Sequence, residues 1–133
     1  MRFDELSNRD QERIRLAQKL ASMSESNTRT RHGCVIVKAG NVIAVGVNQY
    51  RNNPNLFDFT LDNTDCISVH AEEACLKALS HQARHCTAYI ARLNSADMTA
   101  MSRPCDRCMR QLKDAGIDKL VYTTYTGVEI ERI

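Results

Sequence analysis

Apolar residues recur at helical spacing through Ile14, Ala17, Leu20 and Ala21, with Leu16 and Met23 on the flank and Arg, Gln and Lys opposite. This period predicts an amphipathic helix of about four turns. Ser7 is its expected N-cap, with Asp10 in a capping-box position. Residues 24–32 are polar and without period, so they read as a loop. The pattern then shortens: Gly33 to Lys38 is a buried-looking strand, Val42 to Val47 a second, and Ala39-Gly40-Asn41 between them is turn chemistry, which makes a hairpin. Residues 48–65 have no period; they hold the breaker cluster Asn52-Asn53-Pro54, then Phe57, Phe59 and Leu61. A loop of that length inside a compact domain is usually functional or mobile, and its aromatics suit a lid, a subunit contact or a tether to the body. Val69 to His81 is rich in helix formers, with Ala71, Ala74, Cys75 and Ala78 giving a small face that suits a sheet. Thr87 to Leu93 is a third strand and residues 94–103 a loop. Pro104 is expected at the first helical position, where its missing N–H costs nothing; that helix runs to Ala115, with Gly116 as its stop. Asp118 to Thr124 and Val128 to Ile133 are the last two strands.

The order α-β-β-α-β-α-β-β implies an α/β fold with a largely parallel central sheet, opened by one antiparallel hairpin and covered by helices on its faces. The last two strands are joined by only a few residues around Tyr125-Thr126-Gly127. Parallel strands need a crossover of about a dozen residues or more, so the fifth strand should run antiparallel to the fourth. No repeat or low-complexity segment interrupts the pattern, and 133 residues suit a single domain, 1–133.

Composition narrows the class. The balance of 43% hydrophobic and 26% charged residues is that of an ordinary globular protein. A net charge of +2 and a pI near 8.3 do not call for a nucleic-acid partner. No apolar run approaches the ~20 residues of a membrane span. Met1-Arg2-Phe3-Asp4-Glu5 carries acids and lacks an apolar signal core, so a cytoplasmic location is expected. In that setting the six cysteines are expected to be reduced, and a clustered C-x-x-C reads as metal-binding or redox-active. Cys34, Cys75 and Cys86 sit among apolar neighbours and read as core; Cys66, just before His70, reads as packing or as a lining residue of the site.

The candidate chemistry lies in His70-Ala71-Glu72 and Pro104-Cys105-Asp106-Arg107-Cys108. One imidazole and two cysteines at i, i+3 supply three ligands for Zn2+ and leave a fourth position open, the mark of a catalytic site. The helix start carrying Cys105 and Cys108 favours their thiolates. Glu72 has the reach and charge to move a proton. A redox pair would more often follow the first strand of a thioredoxin-like unit, which is absent, and a structural site needs a fourth ligand that His32, His81, His85 and Cys66 do not offer at paired spacing.

With both motifs in this order, the chain resembles the cytidine and deoxycytidylate deaminase superfamily. The resemblance also rests on Gly33-Cys34-Val35-Ile36-Val37, Gly46-Val47-Asn48, Ser102-Arg103 before Pro104, and Ala115 to Tyr122. It implies a cytidine deaminase-like three-layer α/β/α fold with a five-stranded mixed sheet. It implies Zn2+ on His70, Cys105 and Cys108, with water attack at C4 of a cytosine ring and Glu72 moving protons to ring N3 and to the departing ammonia. The backbone N–H of Ala71 would hold the pyrimidine O2, the carbonyl of Arg103 the leaving amino group, and Asn48 the sugar or base. The His-Ala-Glu form is similar to the deoxycytidylate and tRNA-adenosine branch, whereas Ala74, Arg103 and the antiparallel fifth strand depart from it.

The expected activity is therefore hydrolytic deamination of cytosine in a free nucleotide, dCMP to dUMP, by a homo-oligomer, with Arg29, Arg31, Arg51 and Arg103 as phosphate candidates. The enzyme alternative acts on cytosine or adenine in RNA or single-stranded DNA; the mild charge and few aromatics (no Trp, three Phe, four Tyr) disfavour it. The alternative of another class is a zinc-stabilised binding or assembly protein without catalysis, for which Glu72 would have no use.

Overall fold

The computed structural model describes residues 1–24, 31–48, 70–79 and 84–133. Arg29, Arg51, Cys66, His81 and the 49–65 stretch with Phe57, Phe59 and Leu61 lie outside the described residues.

After a single 3-10 turn at Phe3–Glu5, helix α1 spans Asn8–Ser22. Ser7 caps it as expected, its Oγ accepting from the Asp10 N–H at 3.1 Å. The Asp10 carboxylate reaches across to the sheet instead, accepting from the Tyr89 hydroxyl at 2.6 Å. Strands β1 (Arg31–Lys38) and β2 (Asn41–Val47) form the expected hairpin. Its two-residue turn has positive φ at Ala39 (51°) and Gly40 (82°), the signature of the turn that matches strand twist. Helix α2 is Ala71–Leu79, β3 is Cys86–Leu93, β4 is Thr99–Ala100, α3 is Asp106–Ala115, β5 is Ile117–Thr123 and β6 is Val128–Arg132. Gly116 ends α3 in the left-handed region.

The sheet runs β2-β1-β3-β5-β6, with β4 paired to the end of β3. The fifth long strand, β6, is antiparallel to β5 as predicted. The expectation of a largely parallel sheet is corrected: only β3 and β5 pair in parallel. Strands β2 and β3 do run the same way, as a helical crossover requires, but β1 lies between them and opposes both. Strand β4 was not expected from sequence; a two-residue bridge has no period to read.

Strand pleating sorts the core into two faces. On one, Ile14 and Ala17 of α1 pack on Val35, Val37, Tyr89, Ala91 and Val121. On the other, Ala71, Cys75 and Leu79 of α2 with Met109 and Leu112 of α3 cover Cys34, Ile36, Ala88, Ile90 and Leu120. The result is the expected three-layer α/β/α arrangement. Cys34, Cys75 and Cys86 are buried, free thiols in this core. Two glycines let helix and sheet meet closely: a Cβ on Gly33 would stand 2.1 Å from the Ala17 carbonyl oxygen, and one on Gly46 2.5 Å from that of Ala71. No described helix is long and apolar enough to cross a membrane.

The Tyr89–Asp10 bond ties α1 to the middle of the sheet. Burial, then Asp10, push the Tyr89 phenol well above its usual range, so it stays a donor. Tyr89→Phe leaves the ring in place and removes one hydrogen bond to a charged group. It should therefore lower stability by about 1.5–3 kcal/mol, read as a lower urea midpoint at unchanged slope. An unchanged midpoint would show that the bond contributes nothing net.

Candidate metal centre and active site

His70, Cys105 and Cys108 meet because both helices of one layer begin at the same end of the sheet. His70 is the residue before α2, its carbonyl accepting from the Ala74 N–H at 3.0 Å. It thus holds the cap position rather than a place inside the first turn, while Glu72 lies in that turn as expected. Cys105 caps α3: its sulfur accepts from the Cys108 N–H at 3.5 Å. Pro104 consequently stands outside the helix, one residue before the cap, and not at the first helical position.

The His70 Nδ1 lies 3.2 Å from Cys108 Sγ and 3.8 Å from Cys105 Sγ, and the three donor atoms all lie within 4.8 Å of one another. Donors on a tetrahedral zinc with two sulfurs and an imidazole nitrogen are separated by roughly 3.5–3.8 Å, so the group is close to ready for the metal. The side chains beside it agree. Glu72 is 4% exposed, and its Oε1 is buried with no hydrogen-bond partner among the described residues. A carboxylate oxygen so placed is costly unless a cation or a polar ligand faces it. A structural or redox site has no need of such an acid beside it. The cofactor is zinc.

Hydrogen bonds link the three side chains. Hydrogen bonds from the Cys108 thiol and from His70 bring Cys105 down to about 3. The same bond, with burial, pushes Cys108 far up, and the bond to Cys105 raises His70. Metal loading must expel those protons.

Three further residues hold the site and were not singled out from sequence. Glu73 Oε1 accepts from the His70 N–H at 3.3 Å and from Arg107 Nη2 at 2.9 Å, tying the start of α2 to α3. The signal was present, since Glu three residues after a cap is a capping-box position. Ser102, buried, accepts from the Thr123 N–H at 2.8 Å and lies 3.0 Å from the Ile90 carbonyl oxygen, riveting the segment before α3 to β3 and β5.

A cavity of about 300 Å³ opens beside the ligand group, lined by His70, Glu72 and Cys105 together with Asn48, His32, Arg92, Arg103 and neighbours. Asn48 is buried, its Oδ1 accepting from the His32 N–H and from Ser24 Oγ, both at 2.8 Å. Ala71 is fully buried as the first residue of α2. Arg103 lines the cavity, but its guanidinium binds Glu131 of β6 at 3.1 and 3.0 Å. Arg31 is bonded to the Asn94 carbonyl and to Asp97. Neither of these two phosphate candidates therefore has its charge directed into the cavity.

The family described as the cytidine and deoxycytidylate deaminase zinc-binding region matches residues 7–124. A search of curated protein sequences gives no significant match. Among solved structures, dCMP deaminase from the cyanophage S-TIM5 in apo form is 20% identical, with a TM-score of 0.61 over 88% of this chain and 84% of that one; the same enzyme has also been solved in complex with dCMP and dUMP, with a TM-score of 0.62. Cytidine deaminase from Mycobacterium leprae is 19% identical, with a TM-score of 0.57 over 94% of both chains. Acinetobacter baumannii RibD is 26% identical, with a TM-score of 0.59 over 86% of this chain but only 27% of its own. These likenesses carry the fold, and the family match carries the chemistry. A chain whose residues 7–124 match that family, and whose histidine and two cysteines converge beside a buried glutamate, belongs to the cytidine and deoxycytidylate deaminases, a family of zinc-dependent hydrolytic enzymes.

Proposed function

We propose that the protein deaminates the cytosine base of a free nucleotide, converting dCMP to dUMP with release of ammonia. The observation that carries this reading is the buried Glu72 Oε1 beside the His70, Cys105 and Cys108 group at the cavity wall. His70, Cys105 and Cys108 would hold the zinc, which when bound would supply Lewis acidity to the reaction. Glu72 takes a proton from the attacking water and passes it to ring N3 as the new C4–O bond forms. It then passes the second proton to the exocyclic nitrogen as the C4–N bond breaks and ammonia leaves. The Ala71 N–H, at a helix start where backbone donors lack intrahelical partners, holds the pyrimidine O2. The Arg103 carbonyl orients the leaving amino group, and Asn48 meets the sugar or base. The likeness to a dCMP deaminase that has been seen with dCMP and dUMP supports the choice of nucleotide. A single deaminase domain spanning 1–133, a cytoplasmic location and a homo-oligomeric assembly, the last implied by the family resemblance, belong to the same reading.

The test is ammonia release by zinc-replete protein from cytidine, deoxycytidine, dCMP, dCTP, guanine, adenosine and a cytosine-containing single-stranded oligonucleotide. The expected result is the highest kcat/KM on dCMP. Turnover of the oligonucleotide alone would overturn the reading in favour of polynucleotide deamination. Zinc binding with silence on every substrate would favour a non-catalytic assembly protein.

A further inference from the structure

Side chains on a strand alternate between faces. On β1, β2 and β3 the even-numbered residues Cys34, Ile36, Ala44, Ala88 and Ile90 face the α2–α3 layer. Followed to the end of the sheet where the metal group sits, the same parity reaches His32 on β1, Arg92 on β3 and Asn48 just past β2. Register aligns them: His32 pairs with Arg92, and Gly33 opposite Val47 sets His32 opposite Asn48, where backbone and side-chain bonds join the two. The three form a row across adjacent strands, roughly 10 Å from end to end. All three line the cavity.

Charge gives this row its meaning. Glu72 and Cys105 line one side of the cavity, whereas Arg92 places a guanidinium, and His32 an imidazole, in its sheet-side wall. Arg92 is held there by the β3–β4 hairpin and by β5: it pairs with Ala100, its Nη1 donates to the Met101 carbonyl at 3.3 Å, and its N–H donates to Thr123 Oγ1 of β5 at 3.2 Å. Arg31, one residue from His32, has the opposite parity and stands on the other face of the sheet.

We infer that His32 and Arg92 form a phosphate-reading wall, which binds the phosphomonoester of the substrate and selects a nucleoside monophosphate over the bare nucleoside. This inference rests on the function proposed above and names the residues that would discriminate. A guanidinium suits a phosphate dianion as a charge-assisted donor, an imidazole N–H adds a second donor, and Asn48 at the end of the row nearest α2 is left to the sugar.

The experiment uses the full, zinc-loaded chain. For Arg92→Ala and His32→Ala, the ratio of kcat/KM for dCMP to that for deoxycytidine is measured, and calorimetry gives the affinities for dUMP, deoxyuridine and ribose 5-phosphate. Loss of one charge-assisted bond should reduce the preference for dCMP by about 10- to 100-fold, mostly through KM. Affinity for dUMP should fall by a similar factor relative to deoxyuridine, and Arg92→Lys should restore part of it. Equal losses on dCMP and deoxycytidine would overturn the inference and make the pair structural, leaving the cytosine deaminase reading intact. If no cytosine substrate is turned over but ribose 5-phosphate still binds in an Arg92-dependent way, the wall stands and the proposed reaction fails. Should ribose 5-phosphate and dUMP bind the variants as tightly as the parent, the wall itself is refuted.

Discussion

Glu72→Gln should lower kcat by about 100- to 10,000-fold, the range that general acid–base groups contribute, while each chain still binds one zinc. That loss corresponds to about 2.7–5.5 kcal/mol of barrier. Glutamine fills the same volume beside His70 and Cys108 but cannot carry a proton from water to the ring. The substitution also replaces a buried carboxyl group, whose Oε1 has no partner among the described residues, with a neutral amide. The metal-free variant should therefore melt no lower than the parent. Steady-state kinetics, metal analysis and a thermal melt on one preparation check all three parts. A kcat within tenfold of the parent would remove Glu72 from the proton path, and loss of zinc would make it a positioning group for the metal ligands.

The second large effect concerns close approach. A methyl group on Gly46 would lie 2.5 Å from the Ala71 carbonyl oxygen and 2.8 Å from the Cys75 nitrogen; on Gly33 it would lie 2.1 Å from the Ala17 oxygen and 2.8 Å from the Ala21 nitrogen. All four atoms belong to helix backbone, so relief requires a whole helix to move. Each alanine variant should lose about 1–3 kcal/mol or more. The two differ in what the displaced helix carries. Gly46→Ala lifts α2, and with it Ala71, Glu72 and the preceding His70, so zinc affinity and kcat should fall together. Gly33→Ala lifts α1, which carries no ligand, so it should lose far more stability than zinc affinity. Zinc competition titrations beside urea melts separate the cases. Parental zinc affinity and kcat in Gly46→Ala would show that α2 is not positioned by its contact with β2.

Legibility in the sequence divides along the same line as local and distant structure. The metal group could be read because H-x-E and C-x-x-C are set by spacing within one helical turn. The hairpin and the antiparallel β6 could be read because short connections leave little choice. Where β3 docks was not readable: nothing between residues 48 and 86 states that β1, not β2, will be its neighbour. For that reason a largely parallel sheet was expected, and Arg92 was passed over while Arg31 and Arg103 were named as phosphate candidates. Parity places Arg31 on the wrong face, and only the β5–β6 pairing brings Glu131 to Arg103. Pro104 was misplaced by two positions because sulfur is an uncommon cap, and Cys105 fills that role here.

The position of β1 between β2 and β3 has a consequence for how the cavity wall comes into being. The bond between His32 and Asn48 joins residues 16 positions apart and comes with the hairpin, a local closure that chains make readily. The pairing of His32 with Arg92 joins residues 60 positions apart and must overcome the entropy of a much longer loop, a cost that rises with the logarithm of its length. A partly assembled chain holding only the hairpin would carry His32 and Asn48 without Arg92 or the two cysteines. The metal ligands and this row thus come together only in the completed long-range topology, and a contiguous fragment that holds them all must span His32 to Cys108.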